Sequence, residues 1–140
     1  MNDPYDLDRF VTAQQPSYAR ALEELRAGEK RSHWIWYVFP QIAGLGRSET
    51  AQRFAIESLE EASAYLVHPV LGPRLKACCE AILPHAGERS AHDILGSPDD
   101  MKLRSSMTLF ERAAAEPRPF AAVLDAFYGG ERDGETLRRL

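Results

Sequence analysis

Two stretches of this chain concentrate residue types that bind or transform small molecules. The first runs Lys30-Arg31-Ser32-His33-Trp34-Ile35-Trp36, then Phe39-Pro40-Gln41, then Gly44-Leu45-Gly46-Arg47-Ser48. It sets cations and an imidazole beside two indoles, whose faces accept rings or cations and whose N–H groups want acceptors. The glycines would let backbone amides converge on an anion ahead of a helix beginning near Ser48. The second stretch is Asp100-Met101-Lys102-Leu103-Arg104-Ser105-Ser106. On a helix, Lys102, Ser105, Ser106 and Leu109 share one side, so a cation and two hydroxyls form a polar stripe able to hold a phosphate or carboxylate.

Each feature has a plainer reading beside the chemical one. Two tryptophans in three residues are a large apolar payload that suits a core, and Gly-Leu-Gly suits a tight loop between helices. A dinucleotide fingerprint is rejected, because no strand precedes the glycines and the third glycine is missing. Lys102 one turn before Ser106 has the spacing of a serine–lysine nucleophile pair, which would need a buried lysine and an oxyanion hole. Otherwise the hydroxyls tie helices together. His33, His68, His85 and His92 lack metal-ligand spacing, and adjacent Cys78 and Cys79 suit neither a framework disulfide nor a spaced ligand set, so no metal and no cofactor are expected.

The elements that must position these residues read as helices almost throughout. Apolar residues recur at helical spacing, and strict alternation is nearly absent. Leu7, Phe10 and Val11 start a short helix; Pro16, Tyr18, Ala21, Leu22 and Leu25 mark a second that stops at Gly28. Ser58-Leu59-Glu60-Glu61 reads as a capping box, and Gly72-Pro73 opens a helix carrying Leu75, Cys78, Cys79 and Ile82. Ser90 to Asp93 is a weaker cap. Ser97-Pro98-Asp99-Asp100, with a cap residue, proline at the first helical position and two carboxylates on the dipole, is the clearest start, for a helix burying Leu103, Met107, Phe110 and Ala114 and stopping before Pro117. Phe120, Val123, Leu124 and Phe127 form the next, ended by Gly129-Gly130. His33 to Phe39 favours a strand by propensity but has no partner strand, so it reads as a buried helical turn or an extended piece crossing the core. The expected core is Phe10, Leu22, Leu25, Trp34, Trp36, Phe39, Leu66, Leu75, Ile82, Leu103, Phe110, Val123 and Phe127. The expectation is an all-α fold, one compact domain over 1–140, with six to eight short helices.

Composition narrows the function class. With 140 residues, 44% hydrophobic and 27% charged, the chain can build one core. A net charge of −4 removes the global positive field of general nucleic-acid binders. The longest apolar run, Trp34 to Pro40, is far short of the roughly 20 residues that span a bilayer. A soluble cytoplasmic protein that engages neither nucleic acid in general nor membranes is expected.

The strings HWIWYVFPQIAGLGRS, SLEEASAYLVHPVLGPRL, ILGSPDDMKLRSSMTLF and FYGGERD resemble domain-of-unknown-function family 1810 over nearly the whole chain. Its members are small bacterial and fungal proteins, sometimes mislabelled calpastatin. The resemblance implies an all-helical domain of its own fold and brings no activity, substrate or catalytic residue with it. The family's signature residues fall in the two stretches above. Were both to line one pocket, Lys30, His33, Gln41, Arg47, Ser48, Lys102, Ser105 and Ser106 would offer mainly donors, with Trp34 and Trp36 as stacking faces. That set suits a small anionic, nucleotide-like or ADP-ribose-like metabolite. His33, Asp100 and Lys102 are the candidates for catalysis, Asp100 as a base or sugar-hydroxyl acceptor. The alternative is a non-enzymatic helical interaction module whose signature residues stabilise an unusual core. Oligomeric state is not legible.

Overall fold

The computed structural model describes residues 3–140. Among them six helices have seven or more residues: α1 (Asp8–Gln14), α2 (Tyr18–Ala27), α5 (Leu59–Val67), α6 (Leu71–Ile82), α8 (Asp99–Ala113) and α9 (Arg118–Tyr128). Four short ones punctuate the connections: α3 (Ile35–Val38), α4 (Glu49–Arg53), α7 (Ala91–Leu95) and α10 (Gly134–Arg138). The fold is all-helical, and the described residues contain no strand. One parallel bridge joins Ile42 to Ile56: Ala43 N–H donates to the Ile56 carbonyl and Ile56 N–H to that of Gln41, each at 2.8 Å. Of the two forms expected for the aromatic segment, the structure shows the buried helical turn, α3, with Ile35 and Val38 turned into the core. No helix is long and apolar enough to cross a membrane.

Helix α8 is the central pillar, packing against α9, α5, α7 and α10. Leu103, Met107 and Phe110 recur along it at helical spacing and are fully enclosed. An aromatic chain crosses the core, with centroids of 5.2 Å for Phe10–Tyr65, 5.2 Å for Tyr65–Phe110 and 5.9 Å for Phe110–Phe120. Of the expected core, Leu22, Trp36, Leu66 and Phe127 are only partly buried and pack on its margin.

Helix ends depart from the sequence reading in instructive ways. Ser58 Oγ accepts from Glu61 N–H as a cap should, but the Glu61 side chain is drawn away to Arg9 Nη2 at 2.9 Å and to Glu57 N–H at 3.0 Å, so the box stays half-formed. The complete capping box is at Ser90–Asp93. At α8 the residue before the first turn is Pro98, Ser97 makes no cap, and Asp100 Oδ1 accepts from Met101 N–H at 2.9 Å. Pro16 precedes α2 rather than opening it. Gly28 ends α2 in the left-handed region at φ +75°, where a Cβ would fall 2.9 Å from the His85 ring. That ring, with Nε2 at 2.9 Å from the Leu25 carbonyl and 3.1 Å from that of Arg26, covers the open end of the helix.

Cys78 and Cys79 are buried, and burial pushes the Cys78 thiol up to about 12 and that of Cys79 higher still, so both stay protonated.

Candidate functional site

The two signature stretches meet, and the meeting is organised from α2. Glu24, only 8% exposed, accepts through Oε1 from Arg31 N–H (2.9 Å), Ser32 N–H (3.0 Å) and Trp34 Nε1–H (2.8 Å), and through Oε2 from Ser32 Oγ–H (2.5 Å). Burial alone would raise its carboxyl, but these donors outweigh it and hold the group at about 2. The segment leading to α3 is thereby wound around one carboxylate. Lys30 is tied in twice: its N–H donates to the Ile94 carbonyl at 2.7 Å, and its Nζ lies 2.8 Å from Asp99 Oδ2 at the start of α8. The pair is largely enclosed, its side chains 8% and 17% exposed, and Nζ also sits 5.1 Å from the Trp34 ring centre.

Several candidates are therefore structural. Trp34 is fully enclosed and bonded to Glu24, and Lys30 is neutralised by Asp99. Ser48 Oγ accepts from Ala51 N–H at 3.1 Å and caps α4. Ser105 Oγ donates to the Met101 carbonyl and faces Asp133 Oδ2, each at 3.1 Å; Asp133 also takes Thr136 Oγ1–H at 2.6 Å, which fastens α10 to α8. Ser106 Oγ is sealed in the interior with no hydrogen-bond partner, so no serine–lysine nucleophile pair is assembled with Lys102. The start of α8 is not a vacant anion site either. Asp99 and Asp100 bring their own negative charge there, where the dipole favours it.

Asp100 is committed in other ways. Its carboxylate lies 3.6 Å from the exposed His92 Nδ1, and its carbonyl accepts from Tyr128 O–H at 2.5 Å. Burial raises the Tyr128 hydroxyl, followed in effect by the nearby Asp100 charge, so it remains a donor. The His33 ring is exposed and has no hydrogen-bond partner among the described residues. These two residues and Lys102 form no acid–base pair.

What stays open lies around Trp36. Lys102 Nζ sits 5.0 Å from the Trp36 ring centre, and no carboxylate of the described residues lies within ion-pair distance of it. Trp36 is half-buried and, with Gln41, lines a cleft of about 240 Å³. Its other walls are the Ile42–Gly46 turn, α4 through Ala51 and Gln52, and the Phe54–Glu57 segment. The Ile42–Ile56 bridge fixes the spacing of two of these walls. The cleft also needs its glycine: a Cβ on Gly46 would lie 2.5 Å from Ala51 Cβ, pushing the turn off α4. Arg47, next to Gly46, is exposed and spends only its carbonyl, which accepts from Gln52 Nε2–H at 3.1 Å.

The residue reading of the sequence missed Glu24, Asp99, Gln52, Glu57 and Arg139. Arg139, from the end of α10, lies against Gly44, its Nη2 at 3.5 Å from the Gly44 carbonyl. A carboxylate ten residues before a tryptophan carries no motif, and Glu57 looked like any polar residue before a cap. No group of three or more His, Cys, Asp or Glu side chains among the described residues could hold a metal ion.

Comparison with the curated proteins finds no match. Among solved structures, the crystal structure of the conserved hypothetical protein Rv1873 from Mycobacterium tuberculosis is similar, at 54% identity and a TM-score of 0.95 over 99% of this chain and 98% of that one. The model of the family described as Protein of unknown function (DUF1810) matches residues 4–140, and the chain belongs to that family.

Proposed function

We propose that this protein binds a small, ring-bearing metabolite in the cleft beside Trp36. One observation carries the reading: of the two signature tryptophans, the one not consumed by the core lines an open cleft with Gln41 and bears Lys102 on its ring. A volume of 240 Å³ is below the 300–1,000 Å³ usual for drug-sized ligands, so the cleft takes one ring system and the rest of the ligand projects outward. Of the original set, Trp36, Gln41, Lys102 and Arg47 remain; Lys30, Trp34, Ser48, Ser105 and Ser106 are spent on the fold, and His33 does not line the cleft. An anionic part of the ligand would meet the backbone amides of Gly44 to Arg47, which have no intramolecular partner, and the Arg47 guanidinium. A nucleoside phosphate has this two-part chemistry.

The test is a thermal-shift panel of nucleosides, nucleotides and ADP-ribose, read beside quenching of Trp fluorescence. A ligand that stabilises the native protein but not Trp36→Ala supports the reading, and a panel with no hit removes it. The second reading, a non-enzymatic interaction module, draws on Val67, 82% exposed beside an apolar groove between α5, α6 and the α8–α9 turn. A silent panel favours that reading.

A further inference from the structure

Among the residues lining the Trp36 cleft, one is charged. Glu57 stands on its wall with Gln52, its N–H fixed by donation to Glu61 Oε1 at 3.0 Å, and its own carboxylate has no hydrogen bond or ion pair among the described residues. Arg9, which shares Glu61 with the Glu57 backbone, is fully engaged elsewhere: Nη2 donates to Glu61 Oε2 and the Ala55 carbonyl, Nη1 to the Tyr5 and Asp6 carbonyls, and Nε to the Arg53 carbonyl. The Arg9–Glu61 pair therefore holds the backbone of Glu57 in place without neutralising its side chain. A carboxylate accepts hydrogen bonds and donates none, whereas the Gln41 and Gln52 amides can do either.

We infer that Glu57 is the specificity-determining residue of the cleft, selecting ring ligands that carry a hydrogen-bond-donor edge, such as an amino-substituted heterocycle. The inference rests on the cleft reading above and adds the chemical class of the ring. The face of the ring meets Trp36, the amine donates to Glu57, and Gln41 and Gln52 complete the edge. The same carboxylate repels a phosphate placed inside the cleft, so the anionic part of the ligand lies at the Gly44 to Arg47 side. Because the glutamate is exposed, its preference is modest and well below that of a sealed polar pocket.

Adenosine and purine riboside, the same nucleoside with hydrogen in place of the amine, are titrated into the native chain and into Glu57→Gln, with tryptophan fluorescence and calorimetry as readouts. Adenosine is expected to bind roughly tenfold more tightly than purine riboside, since a hydrogen bond to an ionised group has about that worth at an accessible site. Glu57→Gln should lose about that factor for adenosine and leave purine riboside unchanged. Equal binding of the two nucleosides, or an unaltered preference in Glu57→Gln, overturns the role of Glu57 while leaving the cleft reading intact. Binding of neither nucleoside, with the nucleotide panel also silent, removes the cleft reading and this inference with it. Matching thermal midpoints of the two proteins without ligand confirm that the substitution acts on binding.

Discussion

Lys30 with Trp34 and Lys102 with Trp36 are the same pair of residue types at nearly the same separation, 5.1 and 5.0 Å from ammonium to ring centre. Their surroundings set them apart. Around the first pair, Glu24 takes the indole N–H, Asp99 takes the ammonium, and both aromatic faces are enclosed. Around the second, the indole is half-buried at the edge of a cleft and the ammonium has no carboxylate partner among the described residues. A cation on a ring becomes structure when every remaining polar group finds a partner inside the protein, and stays available for binding when none does. Five substitutions turn that contrast into measurements.

The largest effect is expected in the locked pair. Trp34→Ala removes a fully enclosed indole and leaves the buried Glu24 carboxylate short of a donor, which should cost about 3–5 kcal/mol in urea unfolding. Glu24 also makes this pair acid-sensitive. Its carboxyl sits at about 2 in the folded chain against an ordinary value of 4.5, so its stabilisation is complete above pH 4.5 and is lost as the pH falls through 2. Midpoints measured from pH 6 down to pH 2 should fall less steeply for Glu24→Gln than for the native protein, once the lower starting stability is subtracted. Equal slopes would deny Glu24 its place as the organising acceptor.

Next comes Lys30→Ala, which strands Asp99 at the start of α8. Breaking a largely enclosed ion pair from one side costs about 3 kcal/mol, moderated here because the helix dipole still favours the remaining carboxylate. A loss near zero would place Lys30 back among the residues free for a ligand.

How far the sequence could foresee this contrast follows from where the deciding partners lie. The helices were legible because their signals are local: periodic Leu103, Met107 and Phe110 in α8, the Ser90–Asp93 box, Gly28 and Gly129 as stops. The two signature stretches touch through Lys102 and Trp36, but no residue of 100–106 lines the cleft beside Trp36, so that cleft is not the single pocket expected of both. What could not be read was which lysine and which tryptophan remain open. That depends on Glu24 lying one turn short of the end of α2 and on Asp99, far along the chain, arriving beside Lys30. Ser105 and Ser106 misled for a related reason: a helical wheel places them beside Lys102 but does not say that α10 and the core cover that side. The cleft itself is made by a single bridge between Ile42 and Ile56, too short to leave an alternating pattern.

Within the open pair, Trp36→Ala should separate binding from folding. Trp36 is only partly buried and its indole N–H has no partner among the described residues, so its removal is expected to cost about 1–2 kcal/mol, less than Trp34→Ala. Ligand-induced stabilisation from the nucleoside and nucleotide panel should disappear altogether. A larger folding loss than that of Trp34→Ala would invert the comparison.

The smallest effect on folding belongs to Lys102→Ala. Its ammonium lies 5.0 Å from the centre of a half-buried ring, an arrangement worth about 0.5–1 kcal/mol, and no carboxylate is left unpaired when it goes. Alanine also favours the helix interior slightly over lysine, which offsets part of that loss. The unfolding midpoint should therefore move little. The consequence for binding is more specific: if Lys102 orders the Trp36 ring for a ligand and adds positive charge near its anionic part, phosphate-bearing ligands should weaken several-fold more than their parent nucleosides. Titrations of adenosine and its monophosphate into Lys102→Ala read that difference directly. Equal weakening of the two would leave Lys102 as a support for the ring alone, and no weakening of either would return it to the solvated face of α8.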